Sequence, residues 1–272
     1  MPKLETIVDY DLVTWPYVHP SMPKGCITEF YGTDSEQLYT KNLKNLDSMW
    51  LYNSTSVAYN FNSHGLRMKK NIEHVEKDFI YFSGTSFTMG IGINEKDRFS
   101  ELVSNTLSLD MINYAGPTYS TKLQVLSFFN FIKKYKKPKI LVIEYPPSVG
   151  YTFFENTTAI TYYSKHSPTT HYSDIYNSLL NTDFLKNEAT IYRNMLQVLC
   201  KECNIKLVEV SFNKDDAYMS NNIIIVDQDI INNEEINLRF GRDVFKQNGY
   251  YSGHPGVGIH TFVADAILRK LK

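Results

Sequence analysis

The sequence predicts an α/β fold: a parallel sheet covered by helices on both faces. Three observations carry this prediction. From residue 78 onward, short apolar runs that read as buried strands alternate with longer segments of helical spacing. The first of these runs, Phe79-Ile80-Tyr81-Phe82, passes straight into a glycine-punctuated stretch, Ser83-Gly84-Thr85-Ser86-Phe87-Thr88-Met89-Gly90-Ile91-Gly92. And 272 residues, 43% hydrophobic and 21% charged, suffice to bury one large core.

Taken in order, residues 1–50 are irregular, because Pro16, Pro20 and Pro23 interrupt any continuous element. Gly32-Thr33-Asp34-Ser35 can cap a helix running through Leu38, Leu43 and Leu46. Ser56 to Asn62 alternates with period two, as a strand does. Residues 1–75 thus read as an N-terminal extension packed on a main domain at 76–272. Within that domain the strands are Phe79–Phe82, Met111–Tyr114, Ile140–Tyr145 and Ile205–Val210, with a short run at Ile223–Val226. Helices are expected near 97–108, Ser120–Lys136, 183–202 and 256–271. No internal repeat or low-complexity tract interrupts the pattern. The stretch Tyr145–Tyr176 reads as an aromatic-rich insertion, with Tyr151, Phe153, Phe154, Tyr162, Tyr163, His166, His171 and Tyr172. Such a loop is functional or disordered as a rule. Its rings can stack on a sugar, enclose an acyl chain or pack down as a satellite core.

This arrangement puts Ser86 just past the carboxyl end of the first core strand, the edge at which open α/β sheets bind ligands. A serine there can present its hydroxyl while backbone N–H groups of the turn face an incoming oxygen. An ordinary strand-to-helix loop with a solvated serine has the same local pattern.

Gly84-Thr85-Ser86-Phe87-Thr88-Met89-Gly90-Ile91-Gly92 resembles the first block of the SGNH (GDSL-like) hydrolase superfamily, with Thr85 where that block has aspartate. Upstream, Asn62-Ser63-His64-Gly65-Leu66-Arg67 resembles the lead-in that many bacterial SGNH proteins carry. Asn113-Tyr114-Ala115-Gly116 resembles the second block, which implies Gly116 as a backbone donor to an oxyanion. Gly253-His254-Pro255-Gly256-Val257-Gly258-Ile259-His260 resembles the terminal block, which implies His254 as the general base for Ser86. His260, in the first turns of the last helix, is expected to pack or cap. The resemblance implies a three-layer α/β/α fold with a flavodoxin-like parallel sheet. No cluster of ligands with metal spacing stands in the sequence, so no metal or organic cofactor is expected.

The sequence also departs from that pattern. After the third strand, where the family has an asparagine donor, the chain reads Glu144-Tyr145-Pro146-Pro147, and proline has no N–H. The acid three residues before the base is Tyr251. Asp243 is the nearest upstream carboxylate, at a spacing that does not match, and a backbone carbonyl can also orient the ring.

Composition narrows the field further. A net charge of −1 gives no general attraction to nucleic acid or anionic membrane. The run Lys133-Lys134-Tyr135-Lys136-Lys137 complements a helix C-terminus. Cys26, Cys200 and Cys203 make neither a disulfide framework nor a complete zinc site. The N-terminus lacks a signal-peptide layout and no apolar run reaches membrane length, so the expectation is a cytoplasmic location by default. The expected activity is a serine esterase acting on a small-molecule or glycan ester, such as an O-acetyl group on carbohydrate. An O-acyltransferase would use the same acyl-enzyme. A weakened SGNH-like glycan-binding or structural module is the reading from another class.

Overall fold

The computed structural model describes residues 22–46, 50–117, 119–146, 151–155, 158–162, 183–213, 223–227, 230–231, 235–247 and 250–272. Within these, β1 (Cys26–Thr28) precedes α1 (Glu36–Asn45), and β2 (Tyr59–Phe61) leads to β3 (Phe79–Gly84). Next come α2 (Ser86–Met89), α3 (Phe99–Leu107), β4 (Asp110–Ala115), α4 (Thr121–Lys134) and β5 (Ile140–Tyr145). β6 (Tyr151–Glu155) and β7 (Thr158–Tyr162) form a two-stranded pair. Then follow α5 (Phe184–Glu202), β8 (Lys206–Ser211), β9 (Ile224–Ile225), α6 (Ile236–Arg239), β10 (Phe245–Gln247), β11 (Tyr250–Ser252) and α7 (Val257–Leu271).

The central sheet has five strands in the order β4-β3-β5-β8-β9, and every pairing in it is parallel. Numbered by succession, that is 2-1-3-4-5, the flavodoxin-like order, whose switch point lies between the first and third strands. Here those strands are β3 and β5.

Strand pleating sends alternate side chains to opposite faces, and β3 feeds two separate cores. Phe79 and Tyr81 join Ile112, Leu141 and Ile143 under Leu123, Phe128 and Phe131 of α4 and Leu196 and Leu199 of α5. Ile80 and Phe82 join Val142, Val208 and Val210 under Phe99 and Val103 of α3 and Ile259, Val263 and Ile267 of α7. Each fully buried aliphatic or aromatic side chain contributes roughly 1.5–3 kcal/mol. The sheet is therefore the middle of three layers, as the alternating pattern predicts.

Among the described residues, several side chains ahead of residue 76 pack against elements that follow it. Trp50, Tyr52, Val57, Tyr59 and Phe61 share a third cluster with Met89, Ile91, Ala115, Phe240 and Val244. β1 and β2 pair with each other, shorter than the period-two stretch predicts. The lead-in motif is a turn built on Asn62, whose Oδ1 accepts from the N–H groups of His64 (3.0 Å) and Leu66 (2.9 Å). It delivers Arg67 into the interior. There the guanidinium donates to the carbonyls of Met89, Gly90, Ala58 and Ile93, tying down the loop that follows α2.

Ahead of α3 a single 3-10 turn spans Glu95–Asp97, and the Asn94 amide donates to Ser56 O. Tyr145 ends β5, as the strand pattern predicts; it is buried, its hydroxyl donating to Glu209 at 2.8 Å. Apart from the backbone pairing of β6 and β7, the remainder of the aromatic insertion lies outside the described residues. Cys200 is buried at the end of α5, and Cys203 is half-buried behind it. Among the described residues, no helix is long and apolar enough to cross a membrane.

Candidate active site

Ser86 is the first residue of α2, separated from β3 by Thr85 alone. Thr85 caps that short helix, its hydroxyl accepting from Phe87 N. Gly84 before it must be glycine, because a Cβ there would sit 2.0 Å from Thr88 Oγ1 and 2.6 Å from Glu144 Oε2. The turn is packed this tightly so that the serine side chain leaves the sheet at its carboxyl edge.

His254 arrives from the other end of the chain. Its carbonyl accepts from Gly241 N (2.9 Å), and Gly256 N donates to Arg239 O (2.7 Å), so residues 239–241 hold it on both sides just ahead of α7. Its Nε2 lies 2.8 Å from Ser86 Oγ. On the far side of the ring, Nδ1 lies 2.6 Å from Asp243 Oδ2, and the His254 N–H donates to Asp243 Oδ1 at 3.2 Å. Of the two groups the sequence leaves open to orient the imidazole, Asp243 and a backbone carbonyl, it is the Asp243 carboxylate that faces the ring. Asp243 and His254 are the two feet of the β10–β11 hairpin, whose register pairs Phe245 with Ser252 and Gln247 with Tyr250. The hairpin separates acid and base in sequence and returns them to contact in space. Tyr251, at the position where the acid was expected, lies on that hairpin beside the Lys246 ammonium and does not touch the ring.

Thr33, from the segment preceding α1, completes the acid's surroundings. Its hydroxyl donates to Asp243 Oδ2 at 2.6 Å. Burial alone would raise the Asp243 carboxyl. The His254 ring, the Thr33 hydroxyl and the His254 N–H outweigh it and hold the group below its ordinary 3.8. It is thus an anion at neutral pH, able to stabilise a proton on His254 Nδ1. Behind it, Asp34 forms a buried pair with Arg242 (2.9 Å) and accepts from Tyr59 Oη at 2.5 Å.

Gly116 is not disposed as expected. Its N–H continues the β3–β4 ladder by donating to Gly84 O at 3.3 Å, instead of pointing into the cleft. The residue is glycine for packing, since a Cβ would stand 2.7 Å from the Tyr119 ring. Ser86 N–H, at the first helical position, has no acceptor within its own helix. The wall nearest the serine is aromatic: Phe87 stands edge-on to the His254 ring (centroids 5.5 Å apart) and to Phe212 (4.8 Å).

Glu144, at the end of β5, points beneath the turn. Its Oε2 accepts from Thr85 N (2.7 Å), Thr85 Oγ1 (2.9 Å) and Thr88 Oγ1 (3.0 Å). Burial pushes this carboxyl up to about 7 against those hydrogen bonds. His260 is buried, as expected, its Nδ1 accepting from Phe99 N at 3.1 Å.

No protein-family model and no curated protein matches the chain. Solved structures do. A protein assigned to the G-D-S-L lipolytic family from Desulfitobacterium hafniense DCB-2 is 11% identical, with a TM-score of 0.43 over 72% of this chain and 99% of that one. A GDSL-like lipase from Bacteroides thetaiotaomicron VPI-5482 is 12% identical, with a TM-score of 0.39 over 74% and 92%. An acetyl xylan esterase from the rumen bacterium Butyrivibrio proteoclasticus is 11% identical, with a TM-score of 0.38 over 74% and 64%. The likeness is one of architecture, and the chemistry of the site rests on its own atoms.

Two residues of the site, Thr33 and Glu144, carry no sequence signal. Asp243 stands out in the sequence as the nearest upstream carboxylate, but at a spacing that does not match the resemblance.

Proposed function

We propose that the chain is a serine esterase of SGNH type that hydrolyses an acyl ester, with O-acetyl groups on carbohydrate as the favoured substrates. The observation that carries this is the continuous relay Ser86 Oγ, His254 Nε2, His254 Nδ1, Asp243 Oδ2, with gaps of 2.8 and 2.6 Å. Ser86 Oγ attacks the ester carbonyl carbon as its proton passes to His254 Nε2. The imidazolium donates Nδ1–H to Asp243, and the carbonyl oxygen, now an oxyanion, faces Ser86 N–H. The tetrahedral intermediate collapses, and the departing alkoxide takes the proton from His254. Water, deprotonated by the same nitrogen, then releases the acid from Ser86. A sugar hydroxyl in place of that water would make the protein an O-acyltransferase.

One observation favours the weakened module as a second reading. The oxyanion side is thinly equipped: Gly116 N–H is bonded to Gly84 O, and the sequence after β5 offers proline where the resemblance expects asparagine. Losing one oxyanion donor costs on the order of 10²–10³ in turnover.

The test is a fluorophosphonate probe followed by kinetics on a panel of aryl acetates and acetylated sugars. Covalent labelling that maps to Ser86, with turnover abolished in Ser86→Ala, supports the esterase. Wild-type chain that neither labels nor outpaces Ser86→Ala on any ester overturns it in favour of the module.

A further inference from the structure

Glu144 has no role in the relay, yet it is fully buried and makes more hydrogen bonds to the nucleophile turn than any side chain of the relay does. α2 is a single turn of four residues. One turn cannot hold itself, because helix nucleation is unfavourable and propagation has no length over which to recover the loss. Something outside the helix must fix the direction in which Ser86 leaves the sheet. Within the turn, the Thr85 hydroxyl caps Phe87 N, and beyond it Arg67 gathers the carbonyls of Met89 and Gly90. On the sheet side, the contacts converge on one carboxylate. Glu144 receives the Thr85 N–H, the Thr85 hydroxyl on both of its oxygens and the Thr88 hydroxyl. Among the described residues no cationic side chain forms an ion pair with Glu144, so neutral donors from the turn, the N–H groups and hydroxyls of Thr85 and Thr88, are what satisfies it.

We propose that Glu144 is a positioning residue for Ser86: a hydrogen-bond acceptor on β5 that anchors the nucleophile turn across the switch point between β3 and β5. The inference rests on Ser86 being the nucleophile. It also accounts for the departure after the third strand. The carboxyl end of β5, where the resemblance expects a donor to the oxyanion, supplies instead an acceptor that holds the nucleophile. Thr85, the other departure, is the residue through which it holds. A displacement of about 1 Å at a reacting atom costs on the order of 10² in rate, so loss of the anchor should act on turnover and not on substrate affinity.

The discriminating pair is Glu144→Gln and Glu144→Leu. The amide keeps an oxygen for Thr85 N–H and can donate to a threonine hydroxyl; leucine has similar bulk and no acceptor. Fluorophosphonate labelling of Ser86 is expected to stay within roughly tenfold of wild type in Glu144→Gln and to slow by about a hundredfold in Glu144→Leu, scaled by the same rate cost. KM for an aryl acetate should be unchanged in both. Amide hydrogen exchange in the peptide covering residues 84–90 should rise in Glu144→Leu and not in Glu144→Gln. Should the leucine variant fail to fold, Thr88→Val removes one of the hydroxyl contacts while keeping the side chain's shape. It should still slow labelling severalfold, and a wild-type rate would overturn the proposal. Equal labelling and equal exchange in the glutamine and leucine variants would overturn it as well. Failure of the wild-type chain to label strikes the esterase reading, and the exchange comparison then decides the anchor by itself.

Discussion

Asp243 Oδ2 and His254 Nδ1 lie 2.6 Å apart across the base of one β-hairpin. On the proposed esterase reading, an acid in this place fixes the ring's tautomer and stabilises the imidazolium that would form as Ser86 attacks. Asp243→Asn keeps the shape and removes the charge, so kcat on an acetyl ester should fall by about 10⁴, the loss seen when a triad acid is so changed. KM should move little. A fall smaller than tenfold would remove Asp243 from the relay.

Ser86 and His254 form one unit, and their losses should not add. Ser86→Ala, His254→Ala and the double variant should share one residual rate, because either change alone already removes the activated hydroxyl. A double variant markedly slower than either single one would show that the two act independently.

The parts of the fold that were legible in the sequence are those set by local pattern. Phe79–Phe82 reads as a buried strand because both faces of β3 are covered, and α5 and α7 read as helices because their apolar residues recur at helical spacing. Ser86 and His254 were legible because each stands in a short motif. Asp243 was legible only as the nearest upstream carboxylate, because a fixed spacing cannot anticipate a hairpin placed between acid and base. Gly116 was read as a donor, yet its identity reflects the Tyr119 ring packed against its Cα. Thr33 and Glu144 act across 210 and about 60 positions of chain, respectively, and contacts at that separation leave no periodic trace.

Glu144 and His260 are buried groups whose effects of pH on stability run in opposite directions. Burial pushes Glu144 from 4.5 up to about 7, so its protonated form favours the folded chain, and that contribution is lost as pH rises through about 7. Burial, aided by the Arg98 and Arg67 charges, pushes His260 from 6.5 down to about 3. Its neutral form favours the folded chain, and that contribution is lost as pH falls below 6.5. In the overlap the two oppose, each with a limiting slope of about 1.4 kcal/mol per pH unit. Relative to wild type, Glu144→Gln should therefore make stability rise more, or fall less, with pH between about 5 and 6.5. His260→Asn, which keeps an acceptor for Phe99 N–H, should shift the slope the other way. Urea unfolding of both variants and wild type at the two ends of that range checks both, and slope changes of the same sign would overturn the assignment.

The last prediction concerns the segment ahead of α1, which grips the acid from outside the main sheet. Thr33 and Asp34 are consecutive, and so are their partners, Asp243 and Arg242. Each link does a different job. Thr33 Oγ1 donates to the same Asp243 oxygen that faces His254, so it competes for that oxygen's charge and fixes the carboxylate's rotation. Thr33→Val removes the donor and keeps the shape. It should lower kcat about tenfold, the equivalent of one hydrogen bond to a charged group, and cost no more than about 1.5–3 kcal/mol of stability, less than Asp34→Ala. Asp34 is structural: its carboxylate is buried against the Arg242 guanidinium and the Tyr59 hydroxyl. Asp34→Ala leaves a buried guanidinium without its counter-charge, which costs about 3–5 kcal/mol. Because Arg242 is adjacent to Asp243, that variant should lose activity in step with its folded fraction. Steady-state kinetics and urea unfolding on the two variants separate the roles. A Thr33→Val enzyme with wild-type kcat, or an Asp34→Ala chain as stable as wild type, would mean that the segment merely covers the site and neither tunes nor holds it.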